Sequence, residues 1–200
     1  MTITFITGAN KGLGYETARR LIELGQTVVI GARDPERGQT AADQLGARFV
    51  RIDVISDESV ARAADDVRGQ LDTNVAGVVR VTHAFLPLLR RSEHPAVINV
   101  SSGMGSFALT HDPERVESEP TAPLYTASKA AVTMLTTQYA KALPDIRVNA
   151  ADPGYTATDF NAHSGHQTVT EGTDAIVALA TERADAGTGR FIDRSGPVRW

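Results

Sequence analysis

Residues 3–14 read Ile3-Thr4-Phe5-Ile6-Thr7-Gly8-Ala9-Asn10-Lys11-Gly12-Leu13-Gly14, and this stretch decides the fold. A short apolar run ends in a glycine-spaced loop, and an amphipathic segment follows. A parallel strand delivers a backbone turn to a phosphate in this way. Gly8, Gly12 and Gly14 permit tight backbone angles and close approach by a ligand. The helix that starts near Gly14 would aim its N-terminal N–H groups and positive dipole end at an anion. A glycine triplet alone is weak evidence; its place after a strand, before a helix and at the head of a βαβ unit is what carries it. The plain alternative is a strand–turn–helix with no ligand.

Outward from that loop the periodicity alternates. Strands are expected at Ile3–Thr7, Thr27–Gly31, Arg48–Val54, Ala96–Ser101, Ile146–Ala151 and Arg190–Asp193. Helices are expected at Leu13–Leu24, Pro35–Leu45, Asp57–Leu71, Val75–Arg91, Leu124–Leu143 and Thr170–Thr181, with Pro87 kinking or breaking the fourth. Residues 103–123 read as a long loop. The alternation predicts an α/β fold, a doubly wound, Rossmann-like parallel sheet in three layers, with ligands at the carboxyl ends of the strands.

The chain has 200 residues, 42% of them hydrophobic, which suits one dinucleotide-binding and catalytic domain over 1–200. A net charge of −4 argues against a general binder of nucleic acid or anionic membranes. There is no cysteine, so disulfides and thiolate metal sites are excluded. No apolar run approaches the ~20 residues of a membrane span. The N-terminus opens on a strand, without a basic segment followed by an apolar one, so a cytoplasmic location is expected.

The second strand ends in Gly31-Ala32-Arg33-Asp34, where such folds meet the adenosine ribose. A carboxylate would bind a free 2′-hydroxyl. Arg33, helped by Lys11 and Arg37, would grip a 2′-phosphate in bidentate fashion and so select NADP. The alternative is a solvated Arg33 beside Asp34. Asp53-Val54 closes the third strand; Asp53 could bond the adenine amino group or cap the following helix. Tyr125 and Lys129 stand at i and i+4 on one helix face. An ammonium there would lower the phenol's pKa and make it a usable general acid or base. Upstream, Ser101 and Ser102 offer hydroxyls at the same sheet edge, where a substrate carbonyl could be held. His83 reads as core-edge, while His163 and His166 fall in the segment before the helix at 170. No acidic partners stand at ligand spacing, and no metal site is expected.

Together these pieces resemble the classical short-chain dehydrogenase/reductase family over nearly the whole chain. The matches, in the family's order, are TGANKGLG, Asp53-Val54, TNVAG, INVSS, YTASK and DPGYTATD. TGANKGLG, ARDPERGQ and the terminal aromatic look most like NADPH-dependent carbonyl reductases. The resemblance implies that Tyr125 protonates the carbonyl oxygen of a small-molecule ketone, aldehyde or quinone. It implies that Lys129 tunes Tyr125 and holds the nicotinamide ribose, and that Ser102 bonds the substrate oxygen. Asn74 would support a relay water. Gly8, Asn10, Lys11, Gly12, Leu13 and Gly14 would cradle NADP(H), and Pro153, Gly154, Thr156 and Thr158 would cover the nicotinamide amide. An acidic insertion at 110–121 fits a monomer, with a homodimer as the alternative.

The resemblance breaks in one place. Family members carry a fourth strand ending in Asn-Asn-Ala-Gly, then a helix, before the helix that begins near TNVAG. Here Gln70-Leu71-Asp72, the lead-in to that strand, runs directly into Thr73-Asn74-Val75. Tens of residues expected between Asp72 and Thr73 are absent. The lost strand would lie beside the first, leaving its edge unpaired. Three readings follow: a segment missing from this sequence but present in the protein, a true deletion with a rewired sheet, or a vestigial protein that binds NADP without catalysis.

Overall fold

The computed structural model describes residues 3–52 and 71–200. The elements are β1 (Ile3–Thr7), α1 (Gly12–Glu23), β2 (Thr27–Ala32), α2 (Pro35–Leu45) and β3 (Arg48–Arg51). After a π-helical turn at Asp72–Ala76 come α3 (Gly77–Leu89), β4 (Ala96–Val100), α4 (Phe107–Thr110), α5 (Pro123–Ala142) and β5 (Arg147–Ala151). The chain closes with α6 (Val169–Gly172), α7 (Asp174–Thr181), β6 (Phe191–Asp193) and β7 (Gly196–Pro197). The fold is α/β with parallel sheets, as the alternating periodicity predicts. Among the described residues no helix is long and apolar enough to cross a membrane.

The chain forms two compact units, residues 1–53 with 153–177, and residues 54–152 with 178–200. In the first, β1, β2 and β3 pair in parallel in that order, Ile3 opposite Thr27 and Val29 opposite Arg48. Ala18 and Leu21 of α1, Ala41 and Ala42 of α2, and Val28 and Ile30 of β2 make its buried core. Arg20 of α1 donates to the Thr170 carbonyl (2.7 Å), Thr173 Oγ1 (2.7 Å) and Asp174 Oδ1 (2.9 Å), fixing the later segment of this unit.

In the second unit the order is β4-β5-β6-β7, parallel except for the final β6–β7 hairpin. Ala140, Leu143, Ile146 and Val148 form one core cluster, against which Leu86, Leu89 and Val97 pack. Leu109, Ala150, Phe191 and Val198 form another. The segment after Ser102 is fastened to the chain's end: Ser106 Oγ donates to the Arg199 carbonyl (2.6 Å), and Ala108 N–H to that of Trp200 (3.1 Å).

Among the described residues β1 pairs only with β2, and β4 only with β5. Burial follows pairing. β5 is buried along its whole length and β2 mostly so, whereas β1 has no fully buried residue. An edge strand keeps a row of N–H and C=O groups without ladder partners.

Other expectations shift. β3 ends at Arg51, and Asp53, Val54 and most of the helix expected over 57–71 lie outside the described residues. The helix expected from Val75 begins as the π-turn, and Pro87 falls in the last turn of α3, so the helix ends just after it rather than breaking there. The loop at 103–123 holds α4 and short 3-10 turns, with Ser106 capping α4. The helix expected over 170–181 is divided at Thr173, its start closed by the reciprocal Thr168–Glu171 capping box. At two residues, β7 is too short to show a period.

Candidate active site

Tyr125 and Lys129 lie one turn apart on α5, with Lys129 Nζ 5.7 Å from the centre of the Tyr125 ring. Nζ donates to the carbonyl of Val100, the last residue of β4, at 3.0 Å. Two residues on, the Ser102 hydroxyl shares a hydrogen bond with the Tyr125 phenol. Ser101 is buried, and its hydroxyl donates to the Lys129 carbonyl at 3.1 Å. Of the two serines, Ser102 is the one at the phenol. Gly105 then seats the loop on α5: a Cβ there would stand 2.6 Å from the Lys129 carbonyl carbon.

The electrostatics depart from expectation. Lys129 should lower the Tyr125 phenol; the structure puts it above its ordinary value. Burial raises it, the Ser102 hydrogen bond pulls it down, and the negative charge of Asp152 raises it again. Burial brings the Lys129 ammonium down to about 8, against the pull of the Asp152 carboxylate. Asp152 is buried and acts on both groups, a role that its sequence position does not announce. One signal for it is in the sequence: a carboxylate directly after an unbroken apolar strand, at the ligand-binding edge of the sheet.

Asn74 lies in the π-turn, and its Nδ2 donates to Ser128 Oγ at 3.0 Å. Ser128 Oγ in turn donates to the Tyr125 carbonyl at 2.7 Å. Among the described residues, Asn74 therefore reaches the turn of α5 that carries the Tyr–Lys pair, touching Ser128.

The glycine loop lies in the first unit. Gly8 (φ +66°) and Gly12 (φ +58°) both have left-handed backbones and open space where a Cβ would be. Gly14 is tight instead, with Gly8 O 2.7 Å from a would-be Cβ, so the start of α1 sits directly on the loop. Leu13 follows within α1, whose N-terminal N–H groups have no capping side chain. This cradle fits a pyrophosphate. Asn10, Lys11, Glu36, Arg37, Thr40 and Gln44 line an adjoining cleft of about 360 Å3. Asp34 caps α2, accepting from Arg37 N–H at 3.0 Å. Arg33 is exposed and makes no ion pair among the described residues. Lys11 is paired with Asp159 at 2.7 Å.

Pro153 and Gly154 (φ +68°) open the segment that follows β5. Thr156 is buried and its hydroxyl donates to the Pro153 carbonyl at 2.9 Å. Thr158 caps the turn at Asp159–Asn161. His83 is exposed rather than core-edge. His163 Nε2 stands 3.1 Å from Asp159, and His166 packs against the Tyr155 ring. Among the described residues no cluster of His, Asp or Glu could hold a metal ion.

Comparison with known proteins fits this geometry. The short chain dehydrogenase family profile matches residues 2–73 and 63–168, two matches that overlap at 63–73. A short-chain dehydrogenase of Penicillium roqueforti is 31% identical, covering 96% of this chain and 93% of that protein. That alignment runs over 235 positions although this chain has 200 residues, so the relative carries tens of residues absent here. Salutaridine reductase of Papaver bracteatum is 27% identical over 98% of this chain and 95% of its own. Among solved structures, the carbonyl reductase Sniffer of D. melanogaster shares the fold at a TM-score of 0.80 and 20% identity, covering 100% of this chain and 99% of that one. A salutaridine reductase of Papaver somniferum matches at 0.79 and 22%, over 96% and 99%. With Ser102, Tyr125 and Lys129 gathered at one sheet edge and the family profile running through them, the chain belongs to the classical short-chain dehydrogenase family of oxidoreductases.

Proposed function

We propose that this protein is an NADPH-dependent carbonyl reductase acting on a ketone, aldehyde or quinone. The observation that carries the reading is the Ser102–Tyr125–Lys129 cluster, with its hydroxyl–phenol hydrogen bond and the ammonium 5.7 Å from the ring. When bound, the nicotinamide supplies the hydride. Ser102 Oγ orients the substrate oxygen, and the raised Tyr125 phenol holds the proton that this oxygen receives. Lys129 lies against the ring, and Asn74 braces the same turn of α5 through Ser128. Gly8, Asn10, Gly12, Leu13 and Gly14 would hold the pyrophosphate. Arg33, with Lys11 and Arg37, would take the 2′-phosphate, supported by the use of Asp34 as a helix cap. Pro153, Gly154, Thr156 and Thr158 would cover the nicotinamide amide. Asp53 and Val54 remain in this reading as adenine contacts. The reading treats 1–200 as one catalytic domain in the cytoplasm, monomeric or homodimeric.

The test is NADPH oxidation with a panel of quinones and ketones, comparing the parent with Tyr125→Phe. Turnover in the parent that falls at least about 100-fold in the variant supports the mechanism. No turnover in the parent, or full turnover in the variant, overturns it. A second reading is NADP binding without catalysis, motivated by the segment that the sequence lacks between Asp72 and Thr73. Titration by NADPH fluorescence separates the two, since that reading requires binding with no turnover.

A further inference from the structure

Lys129 carries its charge in an unfavourable place. Its ammonium is half-buried, and its hydrogen bond goes to a neutral acceptor, the Val100 carbonyl. An ammonium drawn out of water keeps its charge when a carboxylate faces it. Sheet register brings a carboxylate to the same end of the sheet. Val100 lies opposite Ala151, and Ser101 N–H donates to the Ala151 carbonyl at 2.8 Å. The next residue on the neighbouring strand is Asp152, only 6% exposed. The pairing that presents Val100 O to Lys129 therefore carries Asp152 alongside.

Gly103 completes the arrangement. A Cβ at that position would stand 2.8 Å from Asp152 Oδ2, so glycine leaves the room the carboxylate occupies. Glu117 Oε1 lies 2.9 Å from the same point, but it is paired with Arg115 at 3.0 Å. On β6, Ile192 O accepts from Asp152 N–H at 2.8 Å, which makes Asp193 the next charged group along that strand. Among the described residues, the groups near Asp152 include Tyr125 and Lys129 on α5, Glu117 with Arg115 in the loop, and Asp193.

We propose that Asp152 is a positioning residue of the site: its carboxylate is the counter-ion that keeps the Lys129 ammonium charged and seated beside Tyr125, in space that Gly103 leaves open. The inference rests on the reading of Tyr125 and Lys129 as the proton-delivering pair, and its test does not need turnover.

The chain has three lysines, Lys11, Lys129 and Lys141, so acylation by acetic anhydride across pH, read by mass spectrometry, resolves each one. In the parent, Lys129 should label with a midpoint of about 8, and Lys11 and Lys141 serve as references. Asp152→Asn should lower the Lys129 midpoint by about one pH unit, making it about tenfold more reactive at neutral pH. Glu117→Gln should leave that midpoint in place. An unmoved or raised midpoint in Asp152→Asn overturns the inference, as does an equal shift in Glu117→Gln. If the Asn variant does not fold, Asp152→Ser takes its place: a lowered midpoint supports the inference, and an unmoved or raised one overturns it. A protein that labels as expected but never oxidises NADPH keeps this inference and overturns the proposed function. Turnover with an unmoved midpoint does the reverse.

Discussion

Lys11 Nζ donates to Asp159 Oδ2 at 2.7 Å, tying the glycine loop to the segment that follows Pro153-Gly154. The Lys11 ammonium holds the Asp159 carboxyl below its usual range, with His163 adding to the effect. A 2′-phosphate would have to compete with Asp159 for this cation. Asp159→Asn should therefore tighten NADPH about two- to fivefold, since exposed ion pairs are weak, and leave NADH unchanged. Paired fluorescence titrations check this; equal changes for both cofactors would detach Asp159 from phosphate reading.

The complementary change removes the cations. Lys11→Ala with Arg33→Ala should weaken NADPH about 10- to 100-fold and NADH by much less, because only the phosphate uses the charge-assisted bonds. Equal weakening of the two would show that neither residue reads the 2′-phosphate.

Lys129 bears on stability as well as chemistry. Its folded-state value, about 8, lies below the ordinary 10.5. Below pH 8 both folded and unfolded states hold the proton, and the folded state bears the full cost of the half-buried charge. Between pH 8 and 10.5 only the unfolded state holds it, so this group's contribution to stability rises with pH. Lys129→Met should be more stable than the parent at pH 7, by about 1–2 kcal/mol, while losing turnover. The advantage should shrink by pH 9.5, as urea unfolding at the two pH values would reveal.

Gly105→Ala would place a Cβ 2.6 Å from the Lys129 carbonyl carbon and 2.9 Å from Ala130 N. Both are helix backbone and cannot turn aside. The substitution should cost about 1–3 kcal/mol and reduce kcat more than KM, because the Ser102 loop shifts against α5. Thermal unfolding and steady-state kinetics measure the two effects; a neutral result in both would show that the loop repacks freely.

The elements with long, regular periods were legible from the sequence. β1, α1, β2 and α2 fall where apolar spacing puts them, and the Tyr125–Lys129 pair follows from helical geometry alone. The capping role of Asp34 shows only in the structure, since it depends on the backbone N–H of Arg37. Asp152 is not legible from spacing. Its neighbours come from β4, α5 and the loop after Ser102, which are distant in sequence and meet only through strand register. Spacing points the Tyr125 shift the other way, because it reports the nearby ammonium but neither the burial nor the Asp152 charge. The division at Thr173 and the two-residue β7 are too local for any period to register.

The segment between Ser102 and Tyr125 is held at both ends and from within. Ser102 follows a strand end held by Ser101, and Tyr125 belongs to a helix whose contact with the loop is made at Gly105. Within it, Leu109 packs in the core with Ala150, Phe191 and Val198, Asp112 pairs with Arg199 at 3.0 Å, and Glu117 reaches Gly103 beside Asp152. Only the exposed turns between these anchors can lengthen at the cost of a flexible loop, about 0.6 kcal/mol per doubling. The stretch is therefore part of the frame of the site: exchanging it whole would disturb both the Leu109 packing and the Glu117 contact beside Asp152.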